Sequence, residues 1–68
     1  MTRRELESLF VENGGAVELT DTLWISDYGH KYQLFVEDEE AAYGYTLIRR
    51  LSVEETIEML VEYGKVGK

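Results

Sequence analysis

The sequence predicts a small α+β fold: a helix, a three-stranded antiparallel meander and a second helix (α-β-β-β-α), with both helices packed on one sheet face. Two S/T-x-x-E capping boxes, Thr2-Arg3-Arg4-Glu5 and Ser52-Val53-Glu54-Glu55, each precede an apolar stripe of helical period. Between them, Leu23 to Val36 reads LWISDYGHKYQLFV, two alternating runs about a Gly-His pair. Neither helix can bury its stripe alone, so the economical packing lays both on the sheet and leaves its other face open.

The first helix runs from about 3 to 13, with Leu6, Leu9 and Phe10 at i, i+3 and i+4, and Asn13-Gly14-Gly15 ends it. Ala16 to Leu19 alternates, with Val17 and Leu19 inward and Glu18 outward. Asp21 then falls in phase with Leu23 and Ile25, where a buried unpaired carboxylate would be costly. Either the strand bends or bulges near Thr20-Asp21-Thr22 or it ends there and a new one begins, and the favoured expectation is one long, bent strand, about 16 to 27.

Gly29-His30 suits a two-residue type II′ turn, because Gly reaches positive φ at the first central position. That turn sets Tyr28 opposite Lys31, Ile25 opposite Leu34, Trp24 opposite Phe35 and Leu23 opposite Val36. Leu23, Ile25, Leu34 and Val36 then share one face, and Trp24 and Phe35 share the other. The second strand covers 31 to 37. Glu37-Asp38-Glu39-Glu40 reads as an acidic loop. A third strand follows from about 42 to 48, carrying Tyr43, Tyr45 and Leu47 on one face.

Arg49-Arg50-Leu51 leads to the Ser52 cap. Val53, Ile57, Leu60 and Val61 form the stripe of the second helix, with Glu54, Glu55, Glu58 and Glu62 on the opposite arc and Thr56, Met59 and Tyr63 on its far flank. Gly64 stops this helix, and residues 65–68 read as a frayed tail.

A chain of 68 residues is expected to form a single small domain, 1–68. It has no cysteine, and no apolar run approaches the roughly 18 residues of a membrane span. The charged N-terminal Met1-Thr2-Arg3-Arg4 does not resemble a signal-peptide core, so the expectation is a soluble, cytoplasmic protein. Fourteen acidic residues stand against seven basic ones, a formal net charge of −7. That field opposes direct contact with nucleic acid or an anionic membrane and favours a protein partner with a basic surface.

Chemistry is poorly provided for. His30 is the only histidine, and Asp27 alone stands near it in sequence, fewer partners than a general base or metal ligand needs. Glu37 to Glu40 lacks the spaced ligands and Gly of a calcium loop. No enzymatic activity, cofactor or metal is expected.

Two surfaces remain. One is acidic: Glu37, Asp38, Glu39 and Glu40 with Glu54, Glu55, Glu58 and Glu62. The four-residue steps of the helical ladder advance about 6 Å, close to the advance of about 6.8 Å over two phosphates on one DNA strand. The other is aromatic: Trp24, Phe35, Tyr43 and Tyr45 on the open sheet face. The functional expectation is a small acidic protein-binding module, an inhibitor that occupies a basic nucleic-acid-binding surface. In size and charge alone the chain is similar to many small proteins of phages and other mobile elements. The alternative is a structural or regulatory domain that self-associates as a homodimer through the aromatic face.

Overall fold

The computed structural model describes residues 1–28 and 31–67. Their order is α1 (Arg3–Glu12), β1 (Ala16–Glu18), β2 (Leu23–Tyr28), β3 (Lys31–Glu37), β4 (Tyr45–Leu51) and α2 (Val53–Glu62). The α+β class holds, but the sheet has four antiparallel strands in the order β1-β2-β3-β4, which corrects the three-stranded meander.

Both helices begin and end on local chemistry. Thr2 and Ser52 accept from the amides of Glu5 and Glu55, whose carboxylates accept from the cap amides in return. At the end of α2 the Lys65 amide donates to the Leu60 carbonyl and the Gly64 amide to that of Val61, with Gly64 at φ 70°. This is a Schellman closure, which needs a left-handed residue and so favours Gly. Gly14 and Gly15 close α1 by the equivalent bonds to Val11 and Phe10.

The expected long strand over 16–27 is instead a hairpin. Leu19 and Thr20 both donate to the Leu23 carbonyl, and the Thr22 amide donates to Thr20 Oγ1. Asp21 sits exposed in that turn. The phase conflict at Asp21 is thus resolved by chain reversal rather than by a bulge, and β1 folds back onto β2 with Val17 opposite Ile25.

The β2–β3 register is the one expected, from Tyr28 opposite Lys31 to Leu23 opposite Val36. The Gly29-His30 turn, and with it His30, lies outside the described residues.

The last strand is displaced from the expected 42–48 to Tyr45–Leu51. Ala41 to Gly44 belongs to the connection, where the Asp38 amide donates to the Gly44 carbonyl and Gly44 takes φ 82°. The Asp38 carboxylate accepts from the Thr46 hydroxyl at 2.8 Å and the Glu40 amide at 3.0 Å. Residues 37–40 are therefore not a uniform acidic loop: Glu37 ends β3, and Asp38 ties the loop together.

A bulge decides which way β4 faces. Leu34 pairs with Arg49 but Phe35 with Leu47, so Ile48 is the extra residue. Strict alternation would put Leu51 on the same face as Tyr45 and Leu47. The inserted residue shifts the phase and turns Leu51 into the core.

One cluster forms that core: Leu6 and Phe10 of α1, Leu60 of α2, and Val17, Leu19, Ile25, Tyr32, Leu34 and Leu51 from β1–β4 and the first turn. The Phe10 and Tyr32 rings meet at 5.0 Å. Thr56, expected on the flank of α2, is fully buried because its hydroxyl donates to the Ser52 carbonyl one turn back. Val66, expected in a frayed tail, packs against the cluster.

The carboxyl of Asp38 lies below its ordinary value of 3.8, first through the Thr46 hydroxyl and then through the Glu40 amide. Glu5 and Glu55 lie below 4.5, each chiefly through the amide of its own cap residue. Depressed folded-state values contribute stability that is complete above the unfolded values and lost as pH falls through the folded ones. The Tm should therefore decline as pH drops below about 4.5. Asp38→Asn should show a shallower decline over that range in circular dichroism melts. An unchanged slope would contradict the anchoring role of Asp38.

Candidate functional site

Alternation along each strand sorts the sheet into two faces, and cross-strand pairing carries the sorting from strand to strand. The core takes Val17, Ile25 and Leu34 in one row and Tyr32 and Leu51 in the next. The reverse face carries Glu18, Trp24, Phe35 and Leu47 in one row. Glu37 and Tyr45 stand beside it in the next row. None of the reverse-face residues belongs to the core cluster that holds the helices.

Four of the aromatic residues picked out in the sequence come together here. Trp24 stacks on Phe35 with ring centroids 6.0 Å apart and planes at 18°. Tyr45 meets both edge-on, at 5.8 Å from Trp24 and 5.4 Å from Phe35. Tyr43 joins from the loop, 6.4 Å from Tyr45. Offset-stacked and edge-to-face contacts are the favoured aromatic geometries, so the patch is ordered by its own contacts. Trp24 and Phe35 are half-buried, whereas Tyr43 is 84% exposed, Tyr45 44% and Leu47 42%. Leu47 is a further apolar member of this surface, outside the aromatic set expected from the sequence.

The acidic residues divide into used and unused groups. Asp38 is committed to its loop, and Glu55 both completes the Ser52 cap and pairs with Arg49 at 2.8 Å. Arg49 therefore reaches across to α2. Glu54, Glu58 and Glu62 are exposed along α2, as are Glu37, Glu39 and Glu40. Among the described residues the ion pairs are Arg3–Glu7 and Arg49–Glu55, and none of these six carboxylates takes part.

Two acidic residues absent from the expected site lie beside the aromatic patch. Glu18, Asp21 and Glu37 line one hollow with Trp24, about 460 Å³ in volume. The outward position of Glu18 between Val17 and Leu19 could be read from alternation. Asp21 could not be placed, because its position depends on the unforeseen first hairpin.

On the core side, Asp27 stands opposite Tyr32, and its Oδ1 is buried without a hydrogen-bond partner among the described residues. Burial, and secondly the Asp27 charge, raises the Tyr32 phenol above its ordinary 10.0. This pair is on the opposite face from the aromatic patch. Among the described residues no group of three or more His, Cys, Asp or Glu could hold a metal ion, and no helix is long and apolar enough to cross a membrane.

No family model matches the chain, and no curated protein or solved structure matches it either.

The geometry sets a stability test. Trp24→Ala removes the ring contacts to Phe35 and Tyr45, each worth about 0.5–1.5 kcal/mol, and should cost about 1–3 kcal/mol in urea melts. Phe10→Ala, which empties the core, should cost about 3–5 kcal/mol. A Trp24→Ala cost equal to that of Phe10→Ala would mean that the indole is a core residue.

Proposed function

We propose that the protein is a small acidic protein-binding module that docks on a basic surface of another protein, with the aromatic sheet face as its principal contact. The observation that carries this reading is the uncovered cluster of Trp24, Phe35, Tyr45 and Tyr43 bordered by Glu18 and Glu37. Aromatic side chains bring large contact area with little rotamer freedom to lose, which is why they dominate binding hot spots. The exposed carboxylates supply a field that steers a basic partner and repels anionic surfaces.

A basic surface of this kind commonly serves to hold a nucleic-acid backbone, so occupation of it would make the module an inhibitor of its partner. The exposed Glu54, Glu58 and Glu62 on α2 fit that role as a secondary contact, with their four-residue spacing close to the advance over two phosphates on one strand. The module acts by occupation rather than catalysis, without a cofactor, and a cytoplasmic setting suits a cysteine-free chain.

The second reading is self-association through the same face. Lys31 and Arg50 stand on it at the end away from Glu18 and Glu37, so a two-fold axis lying across the strands would set basic ends against acidic ends. The net charge of −7 on each copy works against this arrangement.

Capture of partners from an extract of the source cells, eluted with a salt gradient, tests the leading reading. Screening length falls from about 10 Å at 0.1 M to about 3 Å at 1 M salt, so a partner held by this field should elute well below 1 M. Duplex DNA added to the extract should compete for that partner. Retention unchanged across the gradient, with no competition by DNA, would overturn the electrostatic reading.

A further inference from the structure

The end of the sheet face around Trp24 has a more specific geometry than an acidic apolar patch. Glu18 stands directly opposite Trp24 across the β1–β2 pair, and Glu37 lies diagonal to Trp24 beyond Phe35. Directly opposed antiparallel residues have Cβ atoms about 5 Å apart and diagonal ones about 7–8 Å, so two carboxylates flank one indole on the same face. Asp21 in the first turn completes the border of the hollow, which Asn13 and Ala16 also line. Glu18, Asp21 and Glu37 are all exposed and enter neither ion pair found among the described residues.

We propose that this hollow receives an arginine side chain of the basic partner, its guanidinium laid against Trp24 between the carboxylates of Glu18 and Glu37. The inference rests on the docking reading above and names the point of contact. The indole face attracts a cation through its quadrupole, and the flanking carboxylates accept its N–H donors. A planar guanidinium can stack on the ring and donate sideways in the same pose, which a lysine ammonium cannot do. Phe35 and Tyr45 hold the indole from its stacked side and its edge, so the receiving surface is ordered before the partner arrives. A second copy of this chain is the poorer occupant, because it would bring one more set of −7 charges to an already acidic end.

Trp24 is the only tryptophan, so its fluorescence reports the hollow directly. The probe is a blocked pentapeptide with two arginines separated by glycine, titrated at low salt beside its lysine counterpart. The arginine peptide should change Trp24 emission saturably and bind about threefold or more tighter than the lysine peptide. Glu18→Gln with Glu37→Gln should weaken it about tenfold, a loss on the scale of one desolvated ionic contact. Glu54→Gln, Glu58→Gln and Glu62→Gln together should leave the affinity within about twofold, since those carboxylates contribute only through a screened field.

Loss of binding in the α2 variant, with none in the Glu18 and Glu37 variant, would overturn the hollow while leaving the docking reading in place. Absence of binding by either peptide in fluorescence and in calorimetry, together with partner retention unaffected by salt, would overturn both. A concentration-dependent Trp24 signal without peptide, matched by a dimer in sedimentation, would assign the hollow to a second copy instead. Circular dichroism melts of both variants establish that each is folded.

Discussion

The pairing of β2 with β3 is the constraint from which the rest of the molecule follows. With Ile25 opposite Leu34, the apolar residues of both strands point at the helices while Trp24 and Phe35 point away. A slip of one residue on either strand would reverse that strand's faces, burying Trp24 in the one case or Phe35 in the other. The outer strands inherit the choice. β1 sets Val17 on Ile25, and β4 reaches Leu51 to the core only because its bulge corrects its phase.

Much of this was legible because local signals agree with the global fold. The capping boxes at Thr2 and Ser52 each satisfy their amides within three residues, so they needed no tertiary context. The alternation on both sides of Gly29-His30 carried the register, and the aromatic cluster followed from it. What escaped was set by bonds that alternation does not encode. The hairpin at Thr20 to Thr22 depends on backbone bonds to Leu23, and its own residues lack a Gly to announce it. The start of β4 at Tyr45 accompanies a loop in which Asp38 holds Thr46, eight residues away. Thr56 looked polar in sequence but is satisfied by its own helix, which lets it occupy a core position.

The same distinction governs the candidate surfaces. A run of acids in sequence is not a uniform acidic surface in space, since Asp38 and Glu55 spend their oxygens on structure. Conversely, Glu18 and Asp21, apart from any acidic run, reach the indole through the fold. Leu6, Phe10 and Leu60 of the helices share the core with the sheet, and the aromatic cluster lies outside it. Substitutions in the aromatic face can therefore be made with limited effect on the core, and the exposed carboxylates of α2 can be changed independently of both.

The central claim is that one register sends Ile25 and Leu34 of β2 and β3 to the helices and Trp24 and Phe35 away. Proton–proton Overhauser contacts from the Trp24 ring test it most directly. The structure predicts contacts from the indole to Phe35 and Tyr45, with Ile25 in the cluster that holds Phe10 and Leu60. Contacts from the Trp24 ring to Phe10 or Leu60 would contradict it, since they would place the indole in the core.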